Sequence, residues 1–403
     1  MSATDQQHID FDNTQVAFAY RSNTELKKAY YMFKMLGYPS LVNLGKKVLI
    51  PAIEWGLPLQ GLVKVTVFQQ FCGGETVEES NDVIDRIKGY GVKAILDYSV
   101  EGNENEEEFE KATTKLLKTV RMAETQLAIP FAVFKVTALC RHELLEKKSK
   151  NVSLSYEEEQ EWTRVKQRVM RICEAGAKNE FPVMIDAEES WIQGGIDELC
   201  EEMMARFNKE KPLIYNTVQM YRHDRLDYLK SLYERAKKEK YFLGIKVVRG
   251  AYMEKERERA EEMGYPSPIQ LDKAASDRDY DKAIEFIIDH INDISLVAGT
   301  HNEASSKHLV DLMEAKELLP NDERIYFSQL YGMSDNLSFN LAHAGYNVVK
   351  YLPFGPVKEV LPYLIRRAEE NTSVKGQTGR ELALIQAELK RRKKEKPLMK
   401  EMP

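Results

Sequence analysis

The residues LIYNTVQMY (Leu213–Tyr221) and DRLDYLKSLYERAKK (Asp224–Lys238) show the pattern that decides the fold. The first run is short, apolar and β-branched, which is typical of a buried strand, and the second is a longer, charged helical stretch. Similar short runs occur eight times along the chain, separated by helical segments. Strands that alternate with helices form parallel sheets, and eight such units are typical of a closed (β/α)8 barrel. The sequence therefore predicts an α/β fold of the TIM-barrel type.

The predicted strands share a short, apolar, β-branched pattern. They are Val92–Val100, Ile129–Ala138, Phe181–Glu188, Leu213–Tyr221, Leu243–Ala251, Ile294–Asn302, Ile325–Gly332 and Asn347–Pro353. The alternative architecture is an open doubly wound sheet, which would be expected to carry a glycine-rich phosphate loop after its first strand. The chain contains neither G-x-G-x-x-G nor G-x-x-x-x-G-K, and this favours the barrel.

The pattern divides the chain into three parts. They are a helical arm at 1–90 that packs on the barrel, the barrel at 91–375 with a charged helical insertion at 140–180, and a charged helix and tail at 376–403. Three helices are expected within the arm, over Asn23–Met35, Tyr38–Glu54 and Val77–Gly89, and one in the tail, over Thr378–Lys396.

Composition excludes several classes of protein. The 403 residues carry a formal net charge of −6, whereas nucleic-acid-binding domains are usually basic. Four cysteines without a C-x-x-C pair predict reduced thiols rather than a disulfide scaffold. The polar, acidic start lacks the features of a signal or transit peptide, so a cytoplasmic location is expected. The basic run Lys390–Lys396 is expected to be a solvated helix end, with peripheral contact to the inner face of an anionic membrane as the alternative.

Polar residues gather where the predicted strands end. In a (β/α)8 barrel the active site lies at the carboxyl ends of the strands, so this clustering predicts a functional site. The residues are Lys135, Asp186, Glu188, Glu189, Gln219, Tyr221, Lys246, Arg249, Gly250, Tyr252, Thr300, His301, Asn302, Gln329, Tyr331 and Tyr351.

A tandem arginine pair follows the eighth strand. Tyr363 precedes Arg366 and Arg367 by three and four residues, so all three lie on one flank of a helix. Two guanidinium groups beside a tyrosine can hold a carboxylate or a phosphate. The alternative is two solvated arginines paired with Glu370, which follows Arg366 by four residues. The binding hypothesis requires this helix to lie across the barrel mouth instead of outside it.

The motifs at the strand ends resemble those of the proline dehydrogenase family, from about Phe68 to Lys390. They occur in the family order: ILDYSVE (Ile95–Glu101), FKVTAL (Phe134–Leu139), IDAEES (Ile185–Ser190), QMYR (Gln219–Arg222), KVVRGAYMEKER (Lys246–Arg257), GTHN (Gly299–Asn302), QLYGM (Gln329–Met333) and KYLPFGPVKEVLPYLIRRAEEN (Lys350–Asn371). The resemblance implies a distorted barrel whose last helix lies over the mouth. The order of Lys246 and Arg249 in KVVRGAY resembles the mitochondrial branch, since many bacterial members have RLVKGAY.

The resemblance also implies a role for each site residue. Arg366, Arg367 and Lys135 would bind the substrate carboxylate, Glu370 would orient an arginine, and Asp186 would lie near Lys135 and order the site. Tyr252, Tyr351 and Tyr363 would line the pyrrolidine ring. Contacts to FAD would come from Ala187, Gln219, Lys246, Arg249, Gly250, Ala251, Thr300 and His301.

The implied reaction is hydride removal from L-proline to give 1-pyrroline-5-carboxylate, with electrons passed from FAD to a quinone. Hydroxyproline dehydrogenase is the sister activity, and Tyr351 favours proline because its ring would crowd a ring hydroxyl. A Schiff-base aldolase that uses Lys135 without a flavin is a competing hypothesis, as is a binding protein with an inactive site. The oligomeric state does not follow from the sequence.

Overall fold

The computed structural model describes residues 9–38, 40, 42, 45, 47, 60–98, 105–373 and 377–398. Within those ranges, the side chains of residues 60, 62, 370–373, 377–378 and 396–398 are not described. The predicted helix Tyr38–Glu54 therefore falls largely outside the described residues.

Eight parallel strands form a closed barrel in chain order, as the sequence predicts, and the doubly wound alternative is wrong. The strands are β1 (Val92–Tyr98), β2 (Ala132–Phe134), β3 (Val183–Ile185), β4 (Ile214–Gln219), β5 (Leu243–Val248), β6 (Ile294–Gly299), β7 (Ile325–Leu330) and β8 (Val348–Phe354). The second strand is much shorter than its predicted range Ile129–Ala138, because a 3-10 helix begins at Val136 and ends the extended backbone. Such early strand ends free the following residues for the loops that carry function.

Helices separate the strands. They are α1 (Thr14–Ala17), α2 (Asn23–Leu36), α3 (Gln60–Val63), a π-helical turn (Lys64–Phe68), α4 (Gln69–Phe71), α5 (Val77–Lys88), α6 (Glu106–Ala123), α7 (His142–Ser149), α8 (Tyr156–Lys178), α9 (Ser190–Phe207), α10 (Arg225–Glu239), α11 (Met253–Met263), α12 (Lys273–Asp289), α13 (Glu303–Ala315), α14 (Asp335–His343), α15 (Val357–Ser373) and α16 (Gln377–Leu398). The segment after β2 contains α7 and α8, and Ser155 begins α8 with a reciprocal capping box to Glu158. No helix within the described ranges is both long and apolar enough to cross a lipid bilayer.

The chain forms two compact units, one from Ala94–Ser328 and one from Met1–Lys93 with Gln329–Pro403. The second unit has its own hydrophobic core. Phe33 of α2, Leu384 of α16, and Val360 and Leu364 of α15 are buried in it. Val360 and Leu364 are four residues apart and so lie on one face of α15. The helix with the arginine pair is therefore held by an apolar face of its own.

A buried charged cluster connects distant parts of this second unit. Asp335 accepts a hydrogen bond from Tyr20 at 2.7 Å and lies 3.0 Å from both Arg21 Nη2 and Lys350 Nζ. Glu381 of α16 is also buried and accepts a hydrogen bond from the backbone N–H of Ser334. Burial, together with the Asp335 charge, raises the pKa of Glu381 to about 7, although the Ser334 bond and the cations Lys350 and Arg21 oppose the shift.

The pKa of Glu381 predicts a pH-dependent stability that a Glu381→Gln substitution should remove. Because the folded-state pKa of about 7 exceeds the unfolded value of 4.5, ionisation opposes folding. Relative to the variant, the parent should lose on the order of 3 kcal/mol of unfolding free energy as the pH rises from about 4.5 to about 7. Above that range the difference should stay constant. Urea unfolding at pH 5 and pH 8 measures the difference. Glu395→Gln, at a half-exposed site on the same helix, is the control. An equal parent–variant difference at both pH values would show that the Glu381 pKa is not raised.

Candidate active site

Polar side chains lie at the carboxyl ends of five neighbouring strands. In the unit Ala94–Ser328, Lys135 directly follows β2 and Asp186 directly follows β3. Gln219 ends β4, while Arg249 and Thr300 directly follow β5 and β6. Parallel strands in register bring these ends to the same edge of the barrel, where barrel enzymes have their active sites.

Two lysines of this unit are paired with different carboxylates. The Lys246 ammonium forms a buried ion pair with Asp186, and Lys135 Nζ lies 3.5 Å from Asp97 Oδ1. A lysine in a water-poor interior is stabilised as a cation only by such a partner. The sequence interpretation placed Asp186 near Lys135 and overlooked both its pairing with Lys246 and the role of Asp97. Asp97 could have been found from the sequence, because it lies in the motif ILDYSVE near the end of β1.

Gln219 presents a carbonyl oxygen that has no partner among the described residues. Its side-chain Nε2 donates to the backbone carbonyl of Glu188 at 2.9 Å, which fixes the orientation of the amide. The Oε1 atom is buried and accepts no hydrogen bond from any described group. A buried acceptor without a donor costs free energy, so this atom is suited to an N–H group of a bound ligand.

Arg249 is held in a fixed orientation by three side chains. Its Nε donates to Asp277 at 2.7 Å, Nη1 to Thr300 Oγ1 at 2.7 Å, and Nη2 to Ser305 at 2.9 Å. The guanidinium carbon also lies 4.3 Å from the centroid of the Tyr280 ring. This preorganised cation retains N–H groups for an anionic ligand, since a guanidinium has five donors.

Gly250 allows the backbone after β5 to pass close to an aromatic ring. Its φ is +138°, and a Cβ atom here would lie 2.4 Å from Cε1 of Tyr221. Tyr221 N also donates to the carbonyl of Arg249 at 2.7 Å. Only glycine fits this position, because both its backbone conformation and the available space exclude a side chain. The next residue, Ala251, is exposed, whereas Ala187, Tyr252 and His301 are partly exposed.

Glu188, three residues after the end of β3, has a buried carboxyl group that contacts the turn after β2. The side chain is 3% exposed and accepts hydrogen bonds from Thr137 through both the backbone N–H, at 3.0 Å, and the hydroxyl. Burial raises the pKa of Glu188 to about 8, and the Thr137 bonds oppose that shift. The sequence pattern pointed to Glu188 as a polar strand-end residue, but it did not assign a partner to it.

Glu256 and Ser190 form a contact that sequence reasoning missed. The Glu256 carboxylate is fully buried and accepts hydrogen bonds from Ser190 N at 2.6 Å and Ser190 Oγ at 2.5 Å. Burial raises the pKa of Glu256 despite these two bonds. Because Ser190 begins α9 and Glu256 lies in the first turn of α11, the contact ties the IDAEES and GAYMEKER motifs together. Both residues lie in motifs that follow strands, Ser190 in IDAEES and Glu256 in KVVRGAYMEKER, and this position was the available sequence signal.

The remaining site residues lie in the other unit. On α15, Arg367 is only 5% exposed, and its guanidinium carbon lies 5.1 Å from the centroid of the Tyr363 ring. Arg366 is partly exposed, and the side chain of Glu370 lies outside the described residues. The interpretation of two solvated arginines is therefore wrong for Arg367.

Tyr351 lies in the middle of β8 between two residues that share one face of the strand. Lys350 contacts Asp335, and Leu352 Cγ would lie 2.8 Å from a Cβ atom at Gly73. Because neighbouring residues in a strand point to opposite faces, the buried Tyr351 ring points to the other face.

These residues fit a flavin better than a metal ion. No group of three or more His, Cys, Asp or Glu side chains within the described ranges could hold a metal. Gln219 Oε1 matches the N–H group on the pyrimidine edge of a flavin, and Lys246 offers a buried cation.

Comparison with known proteins shows the family of the chain. The sequence model of the family described as "Proline dehydrogenase" matches residues 81–380, which is well over half of the chain. The chain belongs to the proline dehydrogenase family. The assignment to an oxidoreductase of this family, made from the strand-end motifs, is confirmed.

Two relatives are similar to this chain over most of its length. The carbapenem antibiotics biosynthesis protein CarD of Pectobacterium carotovorum subsp. carotovorum is 34% identical over 333 residues, covering 83% of this chain and 86% of that protein. The mitochondrial proline dehydrogenase 1 of Dictyostelium discoideum is 31% identical over 430 residues, covering 95% of this chain and 75% of that protein.

A solved structure of similar fold is proline utilization A (PutA) from Bdellovibrio bacteriovorus, inactivated by N-propargylglycine. It aligns with a TM-score of 0.71 and 21% identity over 93% of this chain. This chain spans 40% of that PutA chain, and the likeness shows the barrel fold alone.

Substitution of Gly250 tests the close approach after β5 in this family member. Gly250→Ala should lower the unfolding free energy by about 2–4 kcal/mol, because it adds both a clash with Tyr221 and backbone strain. Gly264→Ala is the matched control, since Gly264 has φ +71° but no atom within 4 Å of the place that a Cβ would occupy. It should lose only about 1 kcal/mol, from backbone strain. Thermal unfolding compares the two, and equal losses would show that the Tyr221 contact is unimportant.

Proposed function

We propose that this protein oxidises L-proline to 1-pyrroline-5-carboxylate with FAD as its cofactor, in the first step of proline catabolism to glutamate. Membership in the proline dehydrogenase family supports oxidation of proline. The observation that carries the flavin assignment is the buried Gln219 Oε1, which has no donor among the described residues.

The residues that would hold FAD lie in β4 and β5 or shortly after β3, β5 and β6. They are Ala187, Gln219, Lys246, Arg249, Gly250, Ala251, Thr300 and His301. When bound, the flavin supplies the acceptor for the hydride that leaves the ring carbon next to the substrate nitrogen. Gln219 accepts a hydrogen bond from the cofactor, and Arg249, already oriented by Asp277 and Thr300, neutralises a phosphate.

Lys246 and Asp186 form the electrostatic part of the proposed mechanism. The Lys246 ammonium forms a buried ion pair with the Asp186 carboxylate, which fixes its position inside the barrel. A fixed positive charge in a water-poor site stabilises negative charge that develops during a reaction without first having to reorient.

Cations and tyrosines would bind and orient the substrate. Lys135, Arg366 and Arg367 bind the carboxylate, with Glu370 orienting an arginine, and Tyr252, Tyr351 and Tyr363 line the pyrrolidine ring. Arg367 is already ordered by its contact with the Tyr363 ring, so little side-chain entropy is lost when the carboxylate binds. No strong base is needed when the substrate amine enters deprotonated.

The electron acceptor and location extend the proposal. A quinone-type acceptor would reoxidise the cofactor, and the enzyme would be cytoplasmic. The basic run Lys390–Lys396 would be a solvated helix end, with peripheral contact to the inner face of an anionic membrane as the alternative.

The ion pair of Lys135 opposes the Schiff-base hypothesis. A lysine that attacks a carbonyl must be a neutral amine, whereas the carboxylate of Asp97, 3.5 Å from Lys135 Nζ, favours the ammonium form. The paired state of Lys135 suits a cation that binds a carboxylate.

An absorbance spectrum before and after anaerobic substrate addition tests the proposal. The purified protein should show a flavin band that bleaches with L-proline and much less with trans-4-hydroxy-L-proline. Bleaching by hydroxyproline alone would preserve the cofactor assignment and overturn the substrate. Absence of flavin, even when FAD is supplied, would overturn the roles of Gln219 and Arg249.

Tyr351 should set the preference between the two substrates. Tyr351→Ser removes the ring that would crowd a ring hydroxyl, so the ratio of kcat/KM for hydroxyproline to that for proline should rise about 10-fold. Tyr351→Phe keeps the ring and should leave the ratio near that of the parent. Steady-state kinetics with both substrates measure the ratios, and an equal rise in both variants would point to the phenol hydroxyl instead of the steric effect.

A further inference from the structure

We propose that Glu188 is a positioning residue that orients a substrate-binding lysine and a cofactor-binding glutamine at the same time. Lys135 is reached through Thr137, and Gln219 is reached through the Glu188 main chain. This inference rests on the proposed function for the roles of Lys135 and Gln219, and it adds to that function the residue that joins them.

The side chain of Glu188 controls the turn that begins at Lys135. Thr137 lies two residues after Lys135, inside the 3-10 helix Val136–Ala138. Both hydrogen-bonding groups of Thr137 end on the Glu188 carboxyl, the N–H on Oε1 at 3.0 Å and the hydroxyl on Oε2. Two bonds from one carboxyl fix the position and the rotation of this turn, and with it the direction in which Lys135 leaves the backbone.

The main chain of Glu188 controls the amide of Gln219. The Glu188 carbonyl accepts from Gln219 Nε2 at 2.9 Å, and this bond turns Oε1 towards the place where it has no partner among the described groups. The Glu188 N–H donates in turn to Gln193 Oε1 at 2.8 Å, and Gln193 Nε2 donates to Asp197 at 3.0 Å. A slight displacement of residue 188 therefore reorients the proposed flavin contact.

Stability alone does not account for a carboxyl group at this place. Glu188 is 3% exposed, and among the described residues no cationic nitrogen lies within 4.0 Å of it. Burial of a carboxyl without an ion pair opposes folding, and an apolar residue would avoid that cost. The two bonds that it makes to Thr137, beside two strand ends with proposed functional roles, account for a carboxyl group here.

Four substitutions separate the two contacts of Glu188, which are called the lysine arm (its side chain with Thr137, next to Lys135) and the glutamine arm (its carbonyl with Gln219). Thr137→Val removes the hydroxyl with little change in shape, and Thr137→Ser restores it. Glu188→Ala removes both bonds to Thr137, whereas Glu188→Gln can keep both if the amide group donates to the hydroxyl oxygen. Thr113→Val is the control for loss of a buried threonine hydroxyl. Thr113 is fully buried in α6, and among the described residues its hydroxyl bonds only to the Phe109 carbonyl, at 2.7 Å.

The variants should differ in which kinetic and binding constants change. Thr137→Val should raise KM for L-proline about 10-fold, with kcat within about 3-fold and flavin affinity near that of the parent, because one lost hydrogen bond disturbs only Lys135. Thr137→Ser should recover most of that loss. Glu188→Ala should raise KM by at least as much and also weaken FAD about 10-fold, measured by fluorescence titration of the apoprotein, and Glu188→Gln should recover most of both losses.

A chemical measurement makes the test independent of turnover. The rate at which acetic anhydride modifies Lys135, read by peptide mass spectrometry against the exposed Lys150, reports how firmly Lys135 is held. Thr137→Val and Glu188→Ala should raise this rate about 3-fold or more, and Thr113→Val should leave it unchanged. If both variants only lower the melting temperature, with KM, FAD affinity and Lys135 labelling as in Thr113→Val, Glu188 is a structural residue and the proposal is wrong.

Failure of the proposed function would give a different result. If L-proline does not bleach the parent flavin, the substrate assignment fails, while FAD affinity and Lys135 labelling still decide the role of Glu188. If the parent binds no FAD, the cofactor assignment fails together with the glutamine arm of the proposal, and the labelling rates still decide the lysine arm.

Discussion

The hydrogen bonds between parallel neighbouring strands are the constraint on which the candidate site depends. Gln219 pairs in register with Val248, and Val247 pairs with Ala298, so β4, β5 and β6 end at nearly the same level. Arg249 and Thr300 then leave adjacent strands together, and their 2.7 Å contact follows from this register. A shift of one residue in any pairing would turn every side chain of that strand to the opposite face. The site is thus a consequence of strand pairing before it is one of side-chain chemistry.

Burial of charge is the second constraint, and both compact units satisfy it by pairing. Inside one unit Lys246 is neutralised by Asp186, and inside the other Asp335 is neutralised by Lys350 and Arg21. Burial lowers the pKa of Lys350, and the negative charge of Asp335 opposes that shift. Desolvation and attraction therefore act against each other at this ion pair. Such pairs add little net stability, because desolvation offsets most of the attraction, but removal of one partner leaves an expensive buried charge. They therefore specify one arrangement of the chain more than they strengthen it.

Several features of the site could be predicted because their signals are local in sequence. Apolar runs identified the strands, and the polar residue that follows each run marked Lys135, Asp186, Arg249 and Thr300. The lengths of the strands were harder to predict than their positions. In β2, for example, the apolar pattern continues past Phe134, but the two bonds from Thr137 to Glu188 help to hold a 3-10 turn there. Partners were the least predictable feature. Ser190 and Glu256 are 66 residues apart, and no periodicity relates them.

The sequence by itself determined the barrel, the family and the chemical types of residue at the strand ends, because periodicity and motif order are properties of consecutive residues. Only the tertiary structure decided how those residues are used. It paired Asp186 with Lys246, left Gln219 Oε1 without a donor among the described residues, and buried Arg367 against Tyr363. The physical reason is that each of these depends on strand register or on helix packing, which bring together groups far apart in sequence and decide which of them are shielded from water.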